Sequence, residues 1–155
     1  MKRTLAAIVA SLWFLGVDQQ AIAHGGLADE PPRAAEHVER LPDHVRRNVA
    51  AHERACGDEP AAAHYFSISI EASGFRFRAQ HFEDFACARR SAVCRPDGCL
   101  HEVFLEDSKR QQLVFSIYAR DVKLTNEGGV AGLEVSQPSA CWREVLRPDS
   151  ARSEP

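Results

Sequence analysis

Three absences narrow the field. Beyond its first 23 residues, the 155-residue chain has no apolar run of the roughly 20 residues that a membrane-crossing helix needs. It has no excess of positive charge either: 19 Lys and Arg stand against 22 Asp and Glu, a net −3. A chain with that balance lacks the electrostatic footprint for wholesale nucleic-acid binding. Nor does it carry the strings that announce common catalysts. It has no nucleophile elbow, phosphate-binding loop or zincin helix, no Cys-x-x-Cys, and no internal repeat.

What is present begins with an address. Met1-Lys2-Arg3 is a short basic start, Thr4 to Val17 is apolar apart from two hydroxyl residues, and Ala21-Ile22-Ala23 is a small-x-small cleavage pattern. Residues 1–23 therefore read as a signal peptide cleaved after Ala23, which implies export to the periplasm or beyond. The residue right after the cleavage point is His24 and not cysteine, so a lipoprotein is disfavoured. The remaining 132 residues, with 17 basic and 21 acidic side chains, make one domain.

All five cysteines, Cys56, Cys87, Cys94, Cys99 and Cys141, lie in that exported part, where disulfides are the default. Two bridges among five cysteines can be arranged in fifteen ways. Cys94-Arg95-Pro96-Asp97-Gly98-Cys99 favours one pair, because Pro-Asp-Gly makes a tight turn that brings both ends within bridging distance. Linking Cys56 or Cys87 to Cys141 would close a longer loop and stabilise more. A zinc reading competes: Cys87-x6-Cys94-x4-Cys99-x-His101 supplies three thiols and an imidazole, without paired knuckle spacing.

Periodicity divides the rest. Residues 24–41 read as a flexible leader, with Pro31-Pro32 and a helical turn or two at Ala34 to Arg40. From Pro42, residues Val45, Val49, His52 and Cys56 form one apolar stripe before Gly57, which predicts a helix over 42–56. The period then falls to two. Strands are expected at 66–70, 75–79, 101–105, 113–118, 122–124 and 130–135, and residues 143–155 read as a disordered tail. The predicted fold is α+β over 42–142: one N-terminal amphipathic helix on a mainly antiparallel sheet of five to six strands, stabilised by disulfides.

Several side chains invite chemistry. A mature N-terminal His24 offers an α-amine and an imidazole, a donor pair suited to copper, with His64, His81 or His101 as the second histidine. The bland reading is that His24 only precedes a loose Gly-Gly leader. His52 reads as a packed core histidine, and His37 and His44 as solvated. His81, Glu83 and Asp84 stand close to Cys87, which a Cys–His dyad would require to be free. Arg76 and Arg78 share a strand face near Arg89 and Arg90, a basic patch able to receive a carboxylate. The binding candidates are thus Arg76, Arg78, His81, Glu83, Asp84 and His101.

The chain resembles a group of small exported proteins of alphaproteobacteria. The matching strings are Ala55-Cys56-Gly57, His81-Phe82-Glu83-Asp84-Phe85-x-Cys87, Gly98-Cys99-Leu100-His101-Glu102-Val103-Phe104 and Asn126-Glu127-Gly128-Gly129-Val130-Ala131-Gly132. The resemblance covers roughly residues 42–136. It implies export, a compact β-rich domain and disulfides, and it implies no reaction. The expectation is an exported, non-enzymatic binding or regulatory module of the cell envelope, with no cofactor, acting on an envelope protein or polymer. The alternative is a periplasmic copper or zinc protein using His24 and other histidines, or the Cys87/Cys94/Cys99/His101 cluster.

Overall fold

The structure, a computed structural model, describes residues 33–57, 59–107 and 111–147. The signal peptide and His24 lie outside the described residues.

Two helices come first. Helix α1 (Ala35–Glu39) is a single turn and a half, and helix α2 (Asp43–Cys56) follows the break at Leu41. Extended Pro42 (ψ 147°) and acidic Asp43 suit the start of α2, where backbone donors and the helix dipole favour negative charge. At its end the Gly57 N–H bonds the Glu53 carbonyl at 3.0 Å. Val45, Val49 and Cys56 are fully buried, as their spacing predicts. Residues 33–41, expected to belong to a flexible leader, are instead tied to the domain. Val38 is buried, Ala34 and Ala62 exchange backbone bonds, and Arg33 donates to the carbonyls of Glu83 and Asp84. Those partners lie 28 to 51 residues away, and no local pattern announces them.

Among the described residues, eight strands make two antiparallel sheets. The first contains β1 (Ser67–Ala72), β2 (Phe75–His81), β4 (Gly98–Glu106) and β5 (Gln111–Ala119) in that order, with β3 (Cys94–Arg95) paired to the start of β4. The second is β6 (Asp121–Glu127), β7 (Val130–Gln137) and β8 (Ala140–Val145). Six of these match the predicted strands, and β3 and β8 exceed the expected five to six. The tail was expected to be disordered from residue 143, yet Arg143 to Val145 belong to β8. Arg143 pairs with Glu134 at 2.5 Å across the sheet, and buried Leu146 bonds the Ala131 carbonyl. A charged segment with no alternation was held by cross-strand pairing.

Gly98 governs the tight turn between β3 and β4. Its φ is 145°, and a Cβ there would sit 1.9 Å from the Ala119 carbonyl oxygen, so only glycine admits this approach of β5.

Two apolar cores result. One fills the space shared by the sheets, with Phe77, Ala79, Val103, Val122, Leu133 and Val135. The other joins the helices to the irregular segment after β2 through Val45, Val49, Phe66, Phe82 and Phe85. The Cys56–Cys87 disulfide (2.04 Å) pins that second core, and Cys94–Cys99 (2.08 Å) clamps the β3–β4 turn. Cys141 is free and exposed. The expected Cys94–Cys99 pair is therefore present. A bridge from Cys56 or Cys87 to Cys141 is not, because the helix end and the post-β2 segment meet directly.

Between α2 and the first sheet lies a polar layer. His44, Asn48 and His52, four residues apart, form a second helix stripe beside the apolar one. Glu106, nearly buried, accepts from Arg78 Nε at 2.6 Å and lies 3.2 Å from His44 Nε2. Asn48 reaches Gln80 and Glu102, and His52 Nε2 is 3.4 Å from Glu102 while its ring packs on Phe82. His44 was expected to be solvated, and its side chain is 15% exposed. His37 is also engaged, with Nδ1 2.7 Å from the Ala62 carbonyl.

Removing the 31-residue bridge by Cys56→Ser/Cys87→Ser should cost about 3.7 kcal/mol, against about 2 kcal/mol for Cys94→Ser/Cys99→Ser, from loop-closure entropy. Urea melts would show the order, and a larger loss from the short loop would contradict it. Glu106→Ala leaves the largely covered Arg78 guanidinium without its carboxylate and with only the Ser67 hydroxyl as partner among the described residues, and should cost about 3 kcal/mol. A loss under about 1 kcal/mol in the same melts would mean that the layer is not a constraint.

Candidate functional site

The site grows from the pairing of β2 with β4. Their register sets His81 opposite His101, Ala79 opposite Val103 and Phe77 opposite Leu105, all on the face toward the second sheet. Alternation sends Arg76, Arg78 and Gln80 to the other face. His81 and His101 are both buried, at 6% and 0% exposure, and their Nδ1 atoms are 2.9 Å apart.

Hydrogen-bond accounting assigns the tautomers. His101 Nε2 faces only acceptors, the Ala119 carbonyl at 3.2 Å and Glu83 Oε2 at 3.3 Å, so it carries a hydrogen. With one hydrogen on each ring, His101 accepts at Nδ1 and His81 donates from its own Nδ1. That leaves the Nε2 lone pair of His81 for the cleft that this residue lines. Burial, reinforced by the neighbouring His101 ring, pushes His81 down to about 4 and keeps it neutral.

Glu83 and Asp84 sit on the turn after β2. Arg33 and Arg90 brace this turn through main-chain carbonyls: Arg33 to Glu83 at 2.9 Å, and Arg90 to Phe82, Glu83 and Phe85 at 3.2–3.4 Å. Both guanidinium groups are thus occupied with backbone, and the Glu83 carboxylate turns to His101. Burial, with Glu83 alongside, raises the Asp84 carboxyl above its usual range.

The cleft above His81 has a volume of about 370 Å³ and opens between β1 and β6. Its walls include Tyr65, Ile68, Val122 and Leu124, with Glu83, Asp84, Asp121 and Lys123 as the charged groups. Three carboxylates against one ammonium make it acidic. Tyr65 stands at the rim, 67% exposed. Other hollows are as large, including one of about 430 Å³ beside Trp142 and Arg143 and one of about 470 Å³ along the helices. The cleft over His81 is distinguished by a buried histidine in its lining, itself paired with His101.

Of the binding candidates, the structure brings His81, Glu83, Asp84 and His101 together and leaves Arg76 and Arg78 out. Arg76 pairs with Glu71, and Arg78 with Glu106 beneath the helix. Arg89 and Arg90 bond carbonyls elsewhere, so the basic patch does not form. Cys87, Cys94 and Cys99 are consumed in disulfides, which removes both the Cys–His dyad and the Cys3His zinc cluster. Tyr65, Asp121 and Lys123 were missed, and no local motif marks them. They join the site only because β6 passes β1.

Neither a family model, nor a curated protein, nor a solved structure matches this chain. What the fold defines is its class: an α+β domain of two antiparallel sheets with two disulfides. No helix among the described residues is long and apolar enough to cross a membrane.

The histidine pair makes a pH prediction. Unfolded His81 titrates near 6.5 and folded His81 near 4, so unfolding takes up a proton between those values. Its contribution is full above about pH 6.5 and is lost as pH falls toward 4, a change of about 3 kcal/mol. The raised Asp84 works in the opposite sense, favouring the fold at lower pH. Urea melts at pH 4.5 and 7 should show wild type weakening in acid and His81→Gln weakening less. Parallel pH profiles would contradict the assignment.

Proposed function

We propose that the protein is an exported, non-enzymatic binding or regulatory module of the cell envelope, and that its ligand occupies the cleft over His81. The observation that carries this reading is the cleft itself. It combines apolar walls, an exposed tyrosine at its rim, an acidic lining and a buried histidine at its floor, the mixture expected of a recognition site. Two disulfides suit a protein that works in an oxidising compartment, in line with the signal-like N-terminal residues. The resemblance to small exported alphaproteobacterial proteins points the same way.

The lining also indicates what kind of partner fits. Glu83, Asp84 and Asp121 against Lys123 favour a group bearing positive charge, and Ile68, Val122 and Leu124 offer it an apolar seat. An envelope protein presenting a basic side chain on an apolar segment has those properties.

The test is retention of a stoichiometric partner from a periplasmic extract by the immobilised mature chain, compared with Tyr65→Ala and Asp121→Lys variants. Both positions are exposed, so substitution should change stability by no more than about 0.5 kcal/mol. Retention by wild type and a loss of tenfold or more in the variants is the expected result. No retained partner, or equal retention by all three, would contradict the reading.

A further inference from the structure

The histidine pair has a geometry that its place in a binding cleft does not by itself require. Two imidazoles meet through the same atom, Nδ1 to Nδ1, at 2.9 Å inside a folded core. A hydrophobic pair would pack there with less desolvation, and a single histidine could bond a backbone carbonyl. The Glu83 carboxylate lies beside the same ring, 3.3 Å from His101 Nε2, and one ligand atom from each of His81, Glu83 and His101 can be chosen so that all lie within 4.8 Å of one another. We infer that His81, His101 and Glu83 form a binding site for a single divalent transition-metal ion of the zinc or copper type, an inference that rests on the cleft over His81 being the binding site.

The donor chemistry selects the class of ion. Two imidazoles and one carboxylate suit Zn2+ or Cu2+ and discriminate against Mg2+ and Ca2+, which prefer all-oxygen sets. The geometry is near what such an ion needs. At a metal–nitrogen length of about 2.05 Å, nitrogens 2.9 Å apart subtend about 90°, and an opening to about 3.3 Å gives the tetrahedral angle. The surrounding shell is built as well. The Nε2–H of His101 already donates to the Ala119 carbonyl, the kind of outer bond that fixes the orientation of a metal-bound imidazole. Main-chain bonds from Arg33 and Arg90 hold the Glu83 turn without neutralising its carboxylate.

Binding balances without net proton loss from the pair. The ion takes the place of the hydrogen between the two Nδ1 atoms, His81 passes to its other tautomer with the hydrogen on Nε2, and the half-exposed Glu83 carboxylate swings from His101 Nε2 to the ion, leaving that N–H to the Ala119 carbonyl. His81 and Glu83 also line the cleft, whose other acidic groups are Asp84 and Asp121.

Titration of the metal-free mature chain with ZnCl2 by calorimetry, and with CoCl2 by visible absorption, tests the inference. Wild type should bind one equivalent and show the Co2+ bands of a nitrogen and oxygen site. His81→Gln should weaken binding by about a hundredfold or more, and Glu83→Gln by about tenfold, while His24→Ala leaves it unchanged. Glu83 is half-exposed, so Glu83→Gln preserves the fold even if changes at the buried histidines do not. Absence of saturable binding by wild type would overturn the site. So would binding that His24→Ala abolishes and Glu83→Gln leaves intact. Partner retention measured on the same metal-free protein separates the two readings: retention without metal binding keeps the cleft and removes the ion.

Discussion

The register between β2 and β4 is the constraint on which the rest of the molecule depends. It sets His81 opposite His101 and Gln80 opposite Glu102. Because side chains alternate, that one pairing sends the histidines into the space between the sheets and delivers Gln80, Glu102, Arg78 and Glu106 to the helix. A slip of one residue would exchange the two sets, placing carboxylates in the apolar core and Val103 against Asn48. Neither outcome is tolerable, so the polar layer and the histidine pair enforce the same alignment from opposite faces. The Cys94–Cys99 clamp at the start of β4 fixes where that alignment begins.

This arrangement explains why so small a domain buries so much polarity. A layer of His44, Asn48, His52, Glu102, Glu106 and Arg78 contributes less net stability than an apolar layer of the same volume would. It does give the helix a single position: His44 meets Glu106, Asn48 meets Gln80 and Glu102, and His52 meets Glu102. Position matters because the same helix ends at Cys56, whose disulfide to Cys87 holds the segment that follows the Glu83 turn. Helix placement and cleft geometry are thereby linked through the second core.

Much of the architecture was legible. Helix α2 followed from the Val45–Val49–Cys56 stripe and its Pro42 and Gly57 boundaries, and the alternating runs gave six strands. The Cys94–Cys99 bridge followed from Pro-Asp-Gly. The chain also marked His81, Glu83, Asp84 and His101 individually. What was not legible is everything that depends on distant segments meeting. The His81–His101 contact needs the strand register, Cys56–Cys87 needs the helix end to reach the post-β2 turn, and Tyr65 and Asp121 share a cleft only through the second sheet. Strand β8 escaped because its support is cross-strand pairing with Glu134 and one buried leucine, not a pattern of its own. Arg76 and Arg78 misled for a related reason: carboxylates from other segments claim both. The second stripe of α2, His44–Asn48–His52, was visible as a spacing of four, but its meaning depends on the polar strand face it meets.

The central claim is that the two histidines share one hydrogen bond, Nδ1 to Nδ1, inside the fold. Long-range nitrogen–proton correlation spectra of the imidazoles in 15N-labelled, metal-free protein at neutral pH test this most directly. The account predicts His101 with its hydrogen on Nε2, His81 with its hydrogen on Nδ1, and a through-hydrogen-bond coupling between the two Nδ1 nuclei. Two independent Nε2–H tautomers with no coupling, and ring hydrogens exchanging freely with water, would contradict it.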